Sequence, residues 1–173
     1  MVDTTSRCQL CEQVEHMHKT KELYGHMVCK KCYYSFAGRR YLAFFLDSIT
    51  LCLLMVSVNL VIGMAVPNGG VSPSRNEVIN RLLILLFFFK DGFSGHSLGK
   101  LLCGIMVIDE TTGEPSGICA SFKRNFPLFI PIVALLIGIQ LRNGHRFGDE
   151  WSNTKVIWKK YADHPVFAST QRA

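Results

Sequence analysis

The sequence predicts a mainly α-helical membrane protein, a small helical bundle with a short β element and a cysteine-rich N-terminal unit. Residues 41–66 form a nearly continuous apolar run of 26 residues. A helix needs roughly 20 such residues to cross the hydrocarbon of a bilayer. Two further apolar stretches lie at residues 82–89 and 126–141. Apolar residues make up 49% of the chain and charged residues only 18%, which argues against a soluble domain.

The N-terminal unit, residues 1–38, contains two cysteine pairs. Cys8-x2-Cys11 and Cys29-x2-Cys32 are separated by 17 residues, a spacing typical of a four-cysteine zinc ribbon. Four thiolates fill a tetrahedral coordination sphere, so we expect a structural Zn²⁺ without an open position. Metal binding would supply the folding energy that so short a segment cannot obtain from a hydrophobic core.

Two alternatives concern these cysteines. The pairs could be redox-active CxxC motifs, but the sequence offers no thioredoxin-like βαβ pattern around them. A histidine could also replace one cysteine ligand; the candidates are His16, His18 and His26. The other cysteines lie in or near apolar stretches and are expected to be buried as small apolar side chains; they are Cys52, Cys103 and Cys119.

Asp47 interrupts the first apolar run about two turns from its start. A carboxylate at the centre of a membrane helix costs roughly 2.5–3.5 kcal/mol on insertion scales. At 100° per residue, Asp47 shares a helix face with Arg40 and Ala43. Arg40 and Asp47 are two turns, about 10 Å, apart along the axis, so we expect no direct local ion pair. Ala43 between them leaves room for another helix to approach closely.

The second and third apolar stretches are short. The second is predicted to form a spanning helix from Glu77 to Phe93. The third, residues 126–141, contains Pro127 and Pro131, and a straight helix of this length would be about 24 Å long, less than the ~30 Å hydrocarbon core. We therefore favour two spans plus a re-entrant helical hairpin, with three full spans as the alternative.

The positive charges indicate the topology. Lys and Arg number seven in residues 1–40, two in 67–81, four in 90–124 and six in 142–173. The positive-inside rule then places the 67–81 loop outside and the other segments inside. We expect a multi-pass protein of the cytoplasmic membrane with a cytoplasmic N-terminus.

The β element is predicted from two short apolar segments. Residues Ile105–Ile108 resemble a strand that ends in a turn, and Lys155–Trp158 could pair with them on the same side of the membrane. This assignment gives a membrane domain at residues 39–160, followed by a tail at residues 161–173.

Five short motifs occur in order across residues 39–158. They are Arg40-x2-Ala43-x3-Asp47, Gly95-x-Ser97-x-Gly99-Lys100, Gly104-x2-Val107, Arg124-Asn125 and Arg146-x2-Asp149-x4-Thr154-x-Val156. Their order and spacing resemble the RDD family of integral membrane proteins, named for one arginine and two aspartates. The segment from Cys29 to Arg40 also resembles RDD proteins that carry an N-terminal zinc ribbon.

The resemblance implies a set of functional polar residues. The main candidates are Arg40, Asp47, Lys100 and Asp149, and the further candidates are Asp91, Arg124, Arg146 and Thr154. Asp47 would bind a proton or a cation, with a basic group such as Lys100 nearby. Residues 150–153 depart from the family's small apolar residues, so Asp91 rivals Asp149 as the second acid.

The resemblance also narrows the set of functions to consider. Transport of unknown ligands, including cation/proton exchange, has been suggested for the RDD family. Two spans cannot enclose an aqueous path, so transport by this chain would require an oligomer. We favour a non-enzymatic accessory, assembly or regulatory subunit, with transport as the alternative. The expected partners are the lipid bilayer and further copies or other membrane proteins. The basic residues are dispersed, so nucleic-acid binding is not expected.

One motif suggests an enzyme. Gly95-His96-Ser97-Leu98-Gly99 has the GxSxG pattern of a hydrolase nucleophile elbow. That elbow requires a parallel sheet beneath the serine, and a chain whose preceding segment is a membrane helix does not provide one. Catalysis is therefore not expected.

Overall fold

The computed structural model describes residues 5–16, 20–65, 73–92, 94–130 and 146–167. Within these ranges the chain forms two N-terminal hairpins, one very long helix, a second helix, and a group of short helices around a two-stranded sheet. The predicted re-entrant hairpin at residues 126–141 lies mostly outside the described residues.

The N-terminal unit consists of two antiparallel hairpins. Strand β1 (Thr5–Arg7) pairs with β2 (Val14–His16), and β3 (Thr20–Leu23) pairs with β4 (His26–Cys29). The two residues between β3 and β4, Tyr24 and Gly25, have φ values of 51° and 81°. This is the left-handed conformation that a tight two-residue hairpin turn requires.

Helix α1 (Lys30–Ala65) follows β4 directly and continues into the membrane segment. Its 36 residues extend about 54 Å at 1.5 Å per residue, well beyond the hydrocarbon core. Among the described helices, α1 is the one long and apolar enough to span a membrane, and no residue of its apolar window is buried inside the protein. Such a surface fits contact with lipid and not a soluble core.

Helix α2 (Pro73–Phe88) differs from the predicted Glu77–Phe93 helix. It begins four residues earlier and ends at Phe88, because side chains replace the next helical hydrogen bonds. The carbonyl of Phe88 accepts bonds from Ser121 Oγ at 2.9 Å and Asn125 Nδ2 at 3.1 Å, and the N–H of Asp91 donates to Ser121 Oγ at 3.0 Å. The chain then turns, so Asp91 lies outside helix α2.

Helix α3 (Leu98–Cys103) packs against α1 at Ala43 and Asp47. A Cβ on Gly99 would collide with the carbonyl oxygen of Ala43, so glycine is required at this contact. Ala43 is 1% exposed. The small residue therefore permits the close helix approach that the sequence predicted, with α3 as the neighbour.

The β element has the predicted pairing. Strand β5 (Ile105–Asp109) and strand β6 (Thr154–Trp158) are antiparallel, with Ile105 opposite Trp158 and Ile108 opposite Lys155. Around this sheet lie helices α4 (Ile118–Asn125) and α5 (Phe147–Trp151), and 3-10 turns at Phe126–Phe129 and Lys159–Tyr161.

One hydrophobic core joins distant parts of the chain. Leu23 and Val28 of the N-terminal hairpin belong to the same buried cluster as Val156 of β6 and Phe167 near the C-terminus. Helix α1 runs unbroken through residue 38, and Phe167 is 0% exposed. The sequence-based limits at residues 38 and 161 therefore do not coincide with breaks in packing.

The three cysteines outside the N-terminal pairs differ from one another. Cys103 is buried, as predicted. Cys52 and Cys119 are exposed, so the prediction of burial was wrong for both. Cys52 lies in the apolar window of α1, where an outward-facing side chain meets lipid and needs no protein neighbour.

Candidate functional site

The four N-terminal cysteines form one cluster. The sulfur atoms of Cys8, Cys11, Cys29 and Cys32 all lie within 4.8 Å of one another. Two of them come from the turn after β1, and two from the junction of β4 with α1. Folding of the two hairpins thus brings both CxxC motifs to one point, as the spacing predicted.

The cluster fits a tetrahedral metal ion. A tetrahedron with metal–sulfur bonds of about 2.3 Å has sulfur–sulfur edges of about 3.8 Å, and Cys11 Sγ lies 3.7 Å from Cys29 Sγ. Backbone N–H groups point at the sulfurs: that of Cys29 donates to Cys8 Sγ at 3.2 Å, and that of Cys32 donates to Cys29 Sγ at 3.4 Å. His26 instead contacts Gln9 Oε1 through Nδ1 at 2.7 Å.

Asp47 has three polar contacts where α1 meets α3. Its carboxylate forms an ion pair with Lys90 and accepts hydrogen bonds from Ser97 Oγ at 2.7 Å and the N–H of Gly99 at 2.8 Å. Its side chain is 4% exposed. The sequence predicted a nearby basic residue such as Lys100; the ion pair is formed by Lys90, while Lys100 lines the same small cavity and pairs with Asp91. Lys90 occupies that place because the chain turns after Phe88.

Asp149 is surrounded by arginines. Its Oδ1 lies 2.7 Å from Arg124 Nε and 2.9 Å from Arg146 Nε, and its Oδ2 lies 3.2 Å from Arg40 Nη2. The N–H of Arg146 also donates to Oδ2 at 3.2 Å. Burial opposes ionisation, but the three arginines outweigh it and lower the pKa of Asp149 to about 2. Asp149 is therefore a carboxylate at every physiological pH.

Asp91 completes the network. Its carboxylate pairs with Lys100, and its Oδ2 lies 3.5 Å from Asn125 Nδ2 and 3.6 Å from Arg124 Nη1. Arg124 thus lies between Asp91 and Asp149. The two acids that competed for one role in the sequence occupy neighbouring positions around the same guanidinium group.

Close backbone packing holds the arginines in place. A Cβ on Gly148 would collide with the carbonyl oxygen of Arg124, so α4 and α5 touch at a glycine. Asn125 Oδ1 accepts a hydrogen bond from Arg146 Nη2 at 3.1 Å, which fixes the two helices side by side. The buried charged residues thus form a preorganised ionic core next to the lipid-facing part of α1.

Most predicted polar residues meet in this network. The structure brings together Arg40, Asp47, Asp91, Lys100, Arg124, Arg146 and Asp149. Thr154 lies beside it, with its Oγ1 2.7 Å from Ser152 Oγ. Sequence reasoning did not select Lys90 or Asn125 as site residues. Lys90 could have been selected from the sequence, because it is a cation directly beside Asp91 at the end of an apolar run.

A cleft opens beside Asp47 between α1 and α2. It has a volume of about 410 Å³, and leucine side chains make up half of its lining residues. The residues of α1, of α2 and of the turn after α2 that line it are Asp47, Thr50, Leu51, Leu54, Leu83, Leu86, Phe87 and Lys90. The Asp47–Lys90 ion pair thus forms a polar end to an apolar cleft.

Comparison with known proteins identifies the family. No curated protein and no solved structure shows significant similarity to the chain. The model of the RDD family matches residues 34–153, which include most of helix α1, the charge network and strand β5. The chain therefore belongs to the RDD family, a family of membrane proteins.

Proposed function

We propose that the chain is a non-enzymatic membrane subunit that assembles with another membrane helix through the cleft between α1 and α2. The cleft supports this proposal, because its apolar walls match the side chains of a transmembrane helix. The described residues contain one clear spanning helix, which is too little to enclose an aqueous path. The internal ionic core would keep the cleft rigid for the partner.

A cleft-filling substitution tests assembly. Leu54→Trp places a large ring in the cleft, whereas Leu53→Trp places the same ring on a residue that is 62% exposed and does not line it. We expect Leu54→Trp to release the partner, or the second copy, during purification in mild detergent, while Leu53→Trp retains it. Mass measurement of the native complex gives the composition. A monomeric wild-type protein would refute the proposal.

Ion handling is the second candidate, and one observation favours it. Of the three buried carboxylates in the described chain, Asp47 is the one that lines the open cleft. An oligomer that joins several clefts could then present Asp47 to an ion or a proton. If so, Asp47→Asn abolishes ion flux in reconstituted vesicles. Unchanged flux in that variant would eliminate this candidate.

The cysteine cluster is proposed to hold a structural Zn²⁺. Four sulfur donors with a closed tetrahedral geometry favour zinc and leave no site for a substrate. We expect about one zinc ion per chain by metal analysis, and none after Cys8 and Cys29 are both replaced by serine. A protein that binds no metal, or that shows reversible dithiol–disulfide chemistry at these pairs, would contradict this assignment.

The proposed location is the cytoplasmic membrane, with the ribbon on the cytoplasmic side. The support is the distribution of Lys and Arg, which leaves the 67–81 loop poor in positive charge. On this orientation the charge network lies toward the cytoplasmic end of α1, since Arg40 precedes the apolar window. Zinc binding by thiolates also suits a reducing compartment.

A further inference from the structure

Positive charge exceeds negative charge in the buried network. Three carboxylates, Asp47, Asp91 and Asp149, are buried there with four cations that are at most 7% exposed and with Lys90, whose side chain is 13% exposed. The four cations are Arg40, Lys100, Arg124 and Arg146. A buried charge without a counterion costs several kcal/mol. Each of the five cations contacts a carboxylate, but the three carboxylates leave an excess of two positive charges among the described residues of the network.

The internal segments between the described ranges do not supply the missing negative charge. Residues 17–19, 66–72, 93 and 131–145, which separate the described ranges, contain no Asp or Glu. Burial lowers the pKa of Lys100, although the Asp91 carboxylate opposes the shift. Even if Lys100 were neutral, one positive charge would remain in excess.

A small cavity lies among the residues that carry this excess positive charge. Its volume is about 20 Å³, and its charged lining consists of Asp47 and the five cations Arg40, Lys90, Lys100, Arg124 and Arg146. A cavity of this size is large enough for one water molecule and too small for a phosphate group or a lipid headgroup. Whatever occupies it experiences a strongly positive potential.

Arg124 has unused donors at this cavity. It is 2% exposed, and neither its Nε nor its Nη1 has an acceptor in line with its N–H bond among the described residues. Nε lies 2.7 Å from Asp149 Oδ1 but its N–H does not point at that oxygen, and Nη1 lies 3.6 Å from Asp91 Oδ2, so both contacts are ionic without being aligned hydrogen bonds. Buried guanidinium donors normally find acceptors. An acceptor inside the cavity would satisfy them.

We propose that the cavity beside Arg124 binds a single monatomic anion, chloride under physiological conditions, as a structural ligand of the buried charge network. The anion neutralises part of the cationic excess and accepts the free N–H bonds of Arg124. Its binding requires no change in the three aspartate carboxylates. The cavity shares Asp47 and Lys90 with the cleft proposed for assembly, but its other lining residues are different.

The test uses the purified, metal-loaded full chain in neutral detergent. Thermal unfolding is followed at constant ionic strength while sodium gluconate is replaced by sodium chloride. A ligand that binds only the folded state raises Tm with saturation, and we expect a rise of about 3–8 °C. Bromide should act like chloride, whereas sulfate should resemble gluconate. Equilibrium dialysis with radioactive chloride should give about one bound ion per chain.

Two variants and one control locate the ion. Val156→Ile keeps every charge but adds a methyl group to the cavity wall, so it should reduce chloride uptake without removing any cation. Arg124→Gln should abolish uptake; if this variant does not fold, the Val156→Ile variant and the wild-type dialysis still decide. Lys123→Gln, an exposed neighbour of Arg124, should bind chloride normally.

Several results would overturn the proposal. Equal Tm changes in chloride, gluconate and sulfate would show charge screening without a site. No chloride uptake by the wild-type protein would leave water as the occupant. A stronger effect of sulfate or phosphate than of chloride would exclude a monatomic anion, and unchanged uptake by Val156→Ile would place the ion elsewhere.

Discussion

At the scale of single residues, the charged side chains under α1 act as a group. Arg124 contacts two aspartates, and Asp149 contacts three arginines. Replacing one member of a buried ion pair leaves its partner charged and desolvated, which costs about 3–5 kcal/mol. Each of these residues should therefore be sensitive to substitution for reasons of stability, whatever ligand the protein binds.

The Asp149→Asn variant tests how much the Asp149 carboxylate contributes to fold stability and over which pH range. The three arginines hold the folded-state pKa of Asp149 at about 2, below the usual value of about 3.9 for an unfolded chain. The carboxylate thus stabilises the fold fully above pH ~4, and this contribution disappears as the pH falls through about 2. We expect the variant to be less stable at pH 6 by about 3 kcal/mol.

The difference between wild type and Asp149→Asn should stay constant from pH 7 to pH 5 and shrink below pH 4. Thermal unfolding in detergent across this range measures it. Glu150→Gln changes an exposed carboxylate next in the chain and should follow the wild-type profile. A difference that grows on acidification would contradict the arginine-paired carboxylate.

The sequence could predict some of these residues but not their partners. Arg40 and Asp47 were found because helical periodicity places them on one face of a span that is otherwise apolar. Arg40 pairs with Asp149, which is 109 residues away, and no local rule connects positions so distant. Lys90 was missed as the partner of Asp47 because the end of α2 depends on side chains of α4.

At the scale of secondary structure, the contact of α1 with α3 positions Asp47. Ser97 caps α3 by accepting the N–H of Lys100 at 3.3 Å, and the same hydroxyl donates to Asp47. The N–H of Gly99 reaches the other carboxylate oxygen. A short helix therefore presents two donors to a membrane carboxylate, provided that its backbone can approach α1.

Gly99→Ala should push α3 away from α1. The added methyl group meets the carbonyl oxygen of Ala43 and the carboxylate of Asp47, so overpacking of about 1–3 kcal/mol is expected. Gly38→Ala is the matched control, since a Cβ there meets nothing within 4 Å. In the middle of α1 it should be neutral or stabilising by about 0.5–1 kcal/mol. Equal effects of the two substitutions would exclude the close contact.

Secondary-structure elements were predicted correctly where the local sequence determines them, and less well where tertiary contacts do. The pairing of Ile105–Ile108 with Lys155–Trp158 was predicted from two short apolar segments of equal length, and the structure pairs them from end to end. The end of α2 at Phe88 has a tertiary cause, because Ser121 and Asn125 bind the carbonyl of Phe88. Composition alone could not show where that helix ends.

At the scale of the whole molecule, the cysteine-rich N-terminal unit and the membrane domain share a core. Tyr24 Oη donates to the carbonyl of Val156 at 2.9 Å, and the Tyr24 ring contacts Phe36 and Phe167. Burial raises the pKa of Tyr24 to about 12, so the hydroxyl remains a donor at physiological pH. The hairpin turn of the ribbon is thereby attached to strand β6.

Tyr24→Phe should weaken this attachment without changing the ring contacts. Loss of one buried hydrogen bond costs about 1 kcal/mol, or a fall in Tm of about 2–4 °C for a chain of this size. Tyr161→Phe, whose ring packs on Trp158, provides the control and should change Tm less. Hydrogen exchange should rise at β6 in Tyr24→Phe alone; equal exchange in both variants would count against the attachment.

The division into separate units was the least predictable feature of the fold. Cysteine spacing identifies a candidate metal-binding segment because ligand geometry is local, and apolar length identifies a candidate span for the same reason. Neither pattern reports that Leu23, Val156 and Phe167 pack together, because contacts between segments so far apart leave no periodic signal.

Helix α1 has a mechanical consequence. Cys32 lies in its first turn and Asp47 about four turns further along the same unbroken helix, so no joint separates the sulfur cluster from the carboxylate. A rotation of the cysteine-rich unit, caused by a bound protein or by binding or loss of a metal ion, would turn α1 and move Asp47 relative to Lys90. A change in the N-terminal unit outside the membrane could thus alter the position of Asp47 without any ligand crossing the bilayer.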